Sequence, residues 1–177
     1  GTSFIDSTPV VVCDIHRIST HRVFVGLAQR GKTSMGWFFG FKLHLVINDV
    51  GDLVALRITP GKTHDTKPVL ALTEGLFGKL FGDKGYLGQP LQNQLRDRPL
   101  QLITPVRNNM KNRLVLLHDK LLLRKRVLIE TVIDQLKNIS QIEHTRHRSP
   151  VSFAIHLLAG LIAYCLQPRK PSLSFSN

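Results

Sequence analysis

Short apolar runs separated by turn residues occupy the first third of the chain, and they predict β-strands. Four segments have this character: FIDSTPVVVCD (4–14), HRVFVGL (21–27), FKLHLVIND (41–49) and LVALRITPG (53–61). Between the last two, NDVGD supplies the Asn, Asp and Gly that a short hairpin turn needs. We therefore expect these two strands to be antiparallel neighbours in a sheet.

Helical and strand-like segments alternate in the middle of the chain. The predicted order is a helix in HDTKPVLALTEGLFG (64–78), a strand ending in a glycine-flanked turn in KLFGDKGY (79–86), a helix in QPLQNQLRDR (89–98) and a strand in LQLITPV (100–106). Asp65 or Thr66 is available to cap the first helix, and Pro90 lies near the start of the second. This alternation is typical of an α/β protein.

A segment without Gly or Pro runs from His118 to Asn138 and predicts one long helix. Its apolar residues recur at spacings of 7, 4, 4 and 3 and form a stripe: Leu121, Leu128, Val132, Leu136 and Ile139. A last helix is predicted from about Pro150 to Gln167. We expect a mixed β-sheet flanked by α-helices over residues 1–167, followed by an unstructured tail at 168–177.

The charge of the chain indicates its class of partner. The 177 residues are 42% hydrophobic, which suffices for one domain with a full core. They include 24 Lys and Arg against 12 Asp and Glu, so the net charge is +12. Such an excess is typical of proteins that bind a polyanion, because each neutralised phosphate releases counterions. Nucleic acid is the first candidate and an anionic membrane the second.

The longest apolar run, FAIHLLAGLIAYCL (153–166), does not predict a membrane span. It contains His156 and is shorter than the roughly 20 residues needed to cross a bilayer, so we interpret it as a core helix. Cys13 and Cys165 have neither CxxC spacing nor a disulfide framework, and no signal peptide is visible, which fits a reducing cytoplasm. Because the chain opens on Gly1 rather than Met, we expect it to be the later part of a longer protein.

Three acidic residues lie where a structural role alone does not explain them. Asp6 lies inside a strand pattern that disfavours Asp, Asp83 ends a short strand between two glycines, and Glu130 lies among the apolar rows of the long helix. A carboxylate in such a place is costly unless a cation pairs with it. Hard oxygen ligands that leave positions open for water and phosphate suit Mg²⁺, so one divalent-metal site could satisfy all three acids.

The long helix also places two cations beside Glu130. Arg126 precedes it by four residues and Lys137 follows by seven, so all three side chains project from nearly the same face. A metal-binding Glu flanked by two phosphate-binding cations has this pattern. An ordinary surface pair between Arg126 and Glu130 has it as well, and the helix alone does not separate the two interpretations.

Several motifs in order resemble the catalytic domain of bacterial insertion-sequence transposases of the DDE class. They are IDSTPV, GWFFGFKLHLVIN, PGKTHD, GDKGYLG, RVLIETVIDQLK and RHRSPVSFAIHLLAGLIAYCL, and together they cover nearly the whole chain. In that family the Glu helix carries Tyr, two residues, Arg, three residues, Glu, six residues, Lys. Arg126, Glu130 and Lys137 fit this pattern, whereas Leu123 stands in place of the Tyr and puts that residue's DNA contact in question.

The resemblance implies a fold, a metal and a reaction. The fold would be RNase H-like, with Asp6, Asp83 and Glu130 holding Mg²⁺, or Mn²⁺ as its substitute. Arg126 and Lys137 would position the phosphate. The reaction would be cleavage of double-stranded DNA at the transposon ends followed by strand transfer into target DNA. By analogy, synapsis of two ends implies a homodimer.

Three further groups of residues have competing interpretations. Lys84 and Tyr86 are either DNA contacts or structural residues, and His64 and Asp65 either support the site or cap the next helix. In HTRHRS (144–149), Arg146 and Arg148 form either a phosphate-facing basic turn or a solvated cluster. The His-x-x-His spacing there, between His144 and His147, is a weak zinc pattern because no second ligand pair is nearby.

GLAQRGKT (26–33) matches the P-loop pattern and would, if genuine, make the protein an NTPase. A P-loop requires a helix directly after the Lys and Thr, and here Gly36, Gly40 and a strand pattern follow. A basic loop that contacts DNA phosphates is the other interpretation.

Two alternatives to a transposase remain at this stage. One is an RNase H-like nuclease or resolvase that cuts DNA without joining it. The other is an inactive transposase remnant that only binds DNA.

Overall fold

The computed structural model describes residues 1–105, 116–143 and 146–173. Within these ranges the strands are β1 (Thr2–Cys13), β2 (Gln29–Thr33), β3 (Gly36–Asn48), β4 (Leu53–Pro60), β5 (Gly78–Phe81) and β6 (Leu100–Ile103). The α-helices are α1 (Val69–Leu72), α2 (Gln89–Leu95), α3 (Leu117–Arg124), α4 (Val127–Asn138) and α5 (Pro150–Cys165). Two short 3₁₀ turns cover Ile15–Arg17 and Lys84–Tyr86.

The described strands form one mixed sheet in the order β2-β3-β1-β5-β6, with β4 also paired to β3. β3 is antiparallel to β1, β2 and β4, whereas β1, β5 and β6 are parallel. β2 pairs with the first part of the long strand β3 and β4 with its later part. The expected hairpin between the strands at 41–49 and 53–61 is therefore confirmed.

Helices cover both faces of the sheet because neighbouring strand residues point to opposite sides. Phe4 and Leu45 pack with Ile129 of α4 and Leu157 of α5 in one hydrophobic cluster. The adjacent strand residues Ile5 and Val46 belong to a second cluster, which includes residues of α1 and α2. The mixed sheet flanked by helices is thus the architecture that the order of elements predicted.

The strand predicted at 21–27 is wrong. These residues form turns, in which the backbone N–H groups of Leu27 and Ala28 both donate to the carbonyl of Phe24 (3.0 Å each). Phe24 is buried against the sheet, and Gly26 adopts a φ of +78°, which ends any extended run. Phe24 is thus buried, whereas Val25 and Leu27 are exposed, so the apolar residues of this segment do not form one face of a strand.

The strand β2 lies instead in the segment that matches the P-loop pattern. Lys32 and Thr33 pair with Trp37 and Gly36 of β3 in an antiparallel ladder. A P-loop needs those residues at the start of a helix whose amides bind phosphate. The NTPase interpretation is therefore excluded.

Two predicted helices differ from the structure in length. The segment 118–138 is two helices, because the chain leaves α-helical geometry at Lys125 and Arg126 and the next N–H groups bond three residues back. The bend keeps Leu122 of α3 and Leu128 of α4 in the same cluster and leaves Leu121 exposed. The helix predicted at 64–78 shrinks to α1, which Pro68 precedes and two glycines with positive φ follow.

The described part of the tail has no helix or strand, but specific contacts hold it. The ammonium of Lys170 lies 2.8 Å from Asp52, and the N–H of Leu173 donates to the carbonyl of Asp49 (2.9 Å). Residues 168–173 therefore dock on the turn between β3 and β4, and the rest of the expected unstructured tail lies outside the described residues. No helix in the described ranges is long and apolar enough to span a bilayer.

Candidate active site

Parallel pairing of β1 and β5 brings Asp6 and Asp83 to the same part of the sheet. Phe4 and Phe81 are paired residues in this ladder, and each acid follows its phenylalanine by two positions. Since side chains alternate along a strand, Asp6 projects from the same face as Phe4. Asp83 lies just beyond the end of β5, where its carboxylate accepts a hydrogen bond from the N–H of Gly85 (2.8 Å).

The helix α4 brings Glu130 to this site through a shared cation. Arg126, immediately before α4, donates from Nη1 to Asp6 Oδ2 (3.0 Å) and from Nη2 to Glu130 Oε1 (2.8 Å). The guanidinium therefore bridges the strand acid and the helix acid. The ion pair that the spacing of Arg126 and Glu130 predicted is therefore present, and the metal-binding role of Glu130 stays a prediction.

Burial and nearby charges together shift the pKa of Asp6. The pKa is raised from 3.8 to about 6, chiefly by burial and to a smaller extent by the neighbouring charges of Asp83 and Glu130. A hydrogen bond from the N–H of Ser7 (2.8 Å) and the charge of Arg126 act in the opposite direction. One guanidinium thus does not offset the burial of Asp6 and the repulsion from its two neighbours.

The chemistry of these donors fits a hard divalent cation. Asp83 and Glu130 repel the charged form of Asp6, and Mg²⁺ or Mn²⁺ would stabilise that form. Across the three described ranges, however, no group of three His, Cys, Asp or Glu residues is close enough to hold one ion. Asp6 and Glu130 are both in contact with Arg126 instead. The three carboxylates are the chemical type of ligand that Mg²⁺ prefers. Two of them, on Asp6 and Glu130, are bound to the guanidinium of Arg126.

A second polar cluster lies on the opposite face of the sheet. The hydroxyl of Ser7 donates to Asp65 Oδ1 (2.8 Å), and Lys42 donates to the same oxygen (2.9 Å). Asp65 therefore supports the sheet beside Asp6 and does not cap α1. Sequence analysis missed Ser7 and Lys42, whose shared face follows only from the register of β1 and β3, in which Ser7 pairs with His44 and Pro9 with Lys42.

Tyr86 is a correction to the expected DNA contacts. Its side chain is 1% exposed and packs in the hydrophobic cluster with Ile5 and Leu91, so DNA on the surface would not reach it. Burial, followed by the charges of neighbouring acids, raises the pKa of its hydroxyl well above the usual range. The adjacent Lys84, in contrast, is exposed next to Asp83.

The other cations predicted to contact DNA are Lys137, Arg146 and Arg148. Lys137 forms an ion pair with Glu143 (2.8 Å), whose other oxygen accepts from the N–H of Val11 (3.1 Å), so it ties α4 to β1. Seven residues of helix place it about 10 Å from Glu130 along the axis. Arg146 and Arg148 are exposed ahead of α5. His144 of the weak zinc pattern lies outside the described residues.

Comparison with known proteins connects this geometry to a family. A family model described as a Transposase DDE domain matches residues 1–150. Comparison with curated protein sequences gives no match. A cryo-EM structure of a piggyBac transposase synaptic complex with hairpin DNA aligns with a TM-score of 0.51 and 12% identity, over 93% of this chain and 45% of that chain. A cryo-EM structure of a simian T-cell lymphotropic virus intasome with the PP2A regulatory subunit B56 gamma aligns with a TM-score of 0.40 and 11% identity, over 99% of this chain and 59% of that chain.

These findings agree with the fold that the motifs implied. The similarity to the piggyBac structure shows a shared fold, so the RNase H-like mixed sheet flanked by helices is confirmed. The chain spans less than half of the length of that relative. Because the family model matches 150 of the 177 residues, the chain belongs to the DDE transposase domain family.

Proposed function

We propose that this chain is the catalytic part of a DNA transposase that cuts phosphodiester bonds at transposon ends and joins the freed ends to target DNA. The observation that carries the proposal is that Arg126 contacts both Asp6 of β1 and Glu130 of α4, while the charge of Asp83, at the end of β5, also acts on Asp6. Membership of the DDE transposase domain family supports it. The bacterial insertion-sequence origin implied by the motifs places this activity in the cytoplasm.

Asp6, Asp83 and Glu130 would hold Mg²⁺, or Mn²⁺ in its place. When bound, the divalent metal supplies activation of the attacking oxygen and stabilisation of the leaving oxygen. The protein's own part is to fix the positions of the three carboxylates on rigid elements, because phosphoryl transfer depends on orientation within a few tenths of an ångström. β1 and α4 are both packed in the main hydrophobic cluster, which provides that rigidity.

Exposed cations around the acids would hold the DNA backbone. Lys84, Arg146 and Arg148 are exposed and suit phosphate contacts. Arg126 is half-buried against Asp6 and Glu130 and suits the reacting phosphate, whereas Lys137, about 10 Å further along α4, would position the phosphate next to it. In the first step the water oxygen bonds to phosphorus and the bond to the 3′ oxygen breaks. The released 3′-OH then attacks a target phosphodiester, and a target 3′-OH leaves. No covalent bond to the protein forms, and a homodimer would bring two transposon ends together.

The test is strand cleavage and strand transfer by the purified protein in Mg²⁺, comparing the wild type with Glu130→Gln. We expect cleavage to fall by at least about 100-fold, because one ligand and its charge are lost while the shape is kept. Glu74→Gln is the matched control, since Glu74 is exposed in the turn after α1 and the same chemical change there should leave cleavage unchanged.

The two alternatives predict different results in the same assay. A nuclease or resolvase would cut DNA but would not join a pre-cleaved end to a target. An inactive remnant would bind DNA and leave it uncut in both Mg²⁺ and Mn²⁺. Either result would replace the proposed function.

A further inference from the structure

Arg126 contacts two of the three acids of the proposed metal site, Asp6 and Glu130. Its two terminal nitrogens contact Asp6 Oδ2 and Glu130 Oε1 at 3.0 and 2.8 Å. The guanidinium and the Asp6 carboxylate are each 21% exposed, so water competes weakly for this pair. Arg126 therefore acts as an internal counter-ion of the site.

The backbone positions Arg126 for this contact. The residue lies in the break between α3 and α4 and is the last residue before α4 begins. Glu130 is four residues further along, on the same side of the helix, and Asp6 faces α4 from β1.

A metal ion and the guanidinium cannot use the same carboxylate oxygens at the same time. Both are cations, and their repulsion at such short range adds to the competition for oxygen atoms. Arginine also forms strong paired hydrogen bonds with phosphate, as it does with carboxylate. A DNA phosphate near the acids would therefore offer the guanidinium an alternative partner.

We propose that Arg126 is a displaceable cation that couples metal binding to DNA binding. Without DNA it holds Asp6 and Glu130 and weakens the binding of divalent metal. When a DNA phosphate takes the guanidinium, both carboxylates are released and the metal affinity rises. By linkage, the metal raises the affinity for DNA by the same factor. This inference rests on the proposed function, since it concerns the same three acids.

The first experiment measures Mn²⁺ binding without DNA, by the loss of the free Mn²⁺ electron paramagnetic resonance signal. We expect Arg126→Gln to bind Mn²⁺ about tenfold more tightly than the wild type, within the usual range of coupling between two sites. Arg124→Gln is the matched control, because it removes the same charge from an exposed residue at the end of α3. Its effect should stay below about twofold.

The second experiment repeats the titration with a short DNA duplex, and gel electrophoresis afterwards confirms that the duplex is uncut. The wild type should gain Mn²⁺ affinity on adding the duplex, after subtraction of binding by the duplex alone, whereas Arg126→Gln should gain little. Arg126→Lys keeps the charge but lacks the planar group that bridges two carboxylates. Its gain in Mn²⁺ affinity should therefore lie between those of the wild type and Arg126→Gln. Thermal unfolding confirms that each variant is folded. If Arg126→Gln is not folded, Arg126→Lys takes its place in the comparison with the wild type.

The outcomes separate this inference from the proposed function. Equal or weaker Mn²⁺ binding by folded Arg126→Gln or Arg126→Lys, together with binding that Asp6→Asn abolishes, would overturn the inference and leave the proposed function intact. Mn²⁺ binding that does not depend on Asp6, or no saturable binding in any variant, would overturn both.

Discussion

At the scale of single residues, burial shifts the titration of two side chains of the sheet in opposite directions. Asp6 has its pKa raised from 3.8 to about 6, and His44, which is fully buried, has its pKa lowered from 6.5 to about 4. In both cases desolvation is the largest cause, because it penalises the charged form of either group. One nitrogen of His44 lies 2.8 Å from the hydroxyl of Thr59, which suits a neutral imidazole.

These shifts predict a pH profile in which two contributions cancel. The contribution of Asp6 to stability is present below its unfolded pKa of 3.8 and is lost as the pH rises through about 6. That of His44 is present above its unfolded pKa of 6.5 and is lost as the pH falls through about 4. Each amounts to roughly 3 kcal/mol, at 1.36 kcal/mol per pH unit. The free energy of unfolding of the wild type should therefore change little between about pH 4 and 6.5 from these groups.

Single substitutions should separate the contributions of Asp6 and His44 to the free energy of unfolding. In metal-free buffer, Asp6→Asn should show a free energy of unfolding that rises by up to roughly 3 kcal/mol from about pH 4 to 6.5, because only the His44 contribution remains. His44→Gln should show a fall of similar size over the same range. Urea denaturation at several pH values measures both slopes, and slopes of the same sign in the two variants would contradict the prediction.

At the scale of elements, α5 packs closely on the segment that follows α4. A Cβ added at Gly160 would lie 2.6 Å from Ile142 Cγ2 and 3.1 Å from the carbonyl oxygen of Ser140. Ile142 is itself fully buried and has little room to move. The approach of the two elements therefore depends on the missing side chain at position 160.

Gly160→Ala should destabilise the protein by about 1–3 kcal/mol, the usual cost of overpacking a core. A loss of stability would identify packing as the cause, because helix propensity alone favours Ala over Gly by about 1 kcal/mol. Ala159→Gly, at the exposed neighbouring position, measures that propensity term in the same helix. The measurement is urea denaturation, and a Gly160→Ala variant more stable than the wild type would show that the packing is looser than described.

At the scale of the whole molecule, the excess of 24 basic over 12 acidic residues determines how DNA binding responds to salt. Several of the acids are already paired with cations inside the fold, including Asp65 with Lys42 and Asp119 with Lys79. If the protein contacts about six phosphates, its DNA affinity should fall by about 1,000-fold between 50 and 200 mM salt. Fluorescence anisotropy of a labelled duplex measures this slope.

Lys84→Gln should reduce the slope of log affinity against log salt by about 0.9, the value for one phosphate contact. Lys84 is exposed directly beside Asp83, where the proposed function requires the DNA backbone to pass. Lys120→Gln, an exposed cation on α3, is the control and should leave the slope unchanged if α3 lies away from the DNA. Equal slopes for all three proteins would mean that Lys84 makes no such contact.

Local patterns in the chain predicted the strands at 41–49 and 53–61, the hairpin between them and the helix α5, because each depends on contacts between residues close in sequence. The same reasoning failed at 21–27, where a single buried phenylalanine determines the backbone. It also failed at 125–126, where the predicted long helix divides into α3 and α4 although neither residue is Gly or Pro. Leu122 and Leu128, on either side of this break, both pack in the main hydrophobic cluster. Tyr86 shows the same limit, since its burial depends on residues from several other elements.

By itself, the sequence determined the mixed α/β class, the positive charge and the identity of three acids that strand and helix patterns could not explain. Only the tertiary structure decided that Arg126 bridges Asp6 and Glu130, that Asp65 belongs with Lys42 and Ser7, and that Tyr86 is removed from the surface. Periodicity reports which face of an element a residue occupies. The pairing of β1 with β5 and the packing of α4 on the sheet join residues distant in the chain, so their distances exist only in the folded molecule.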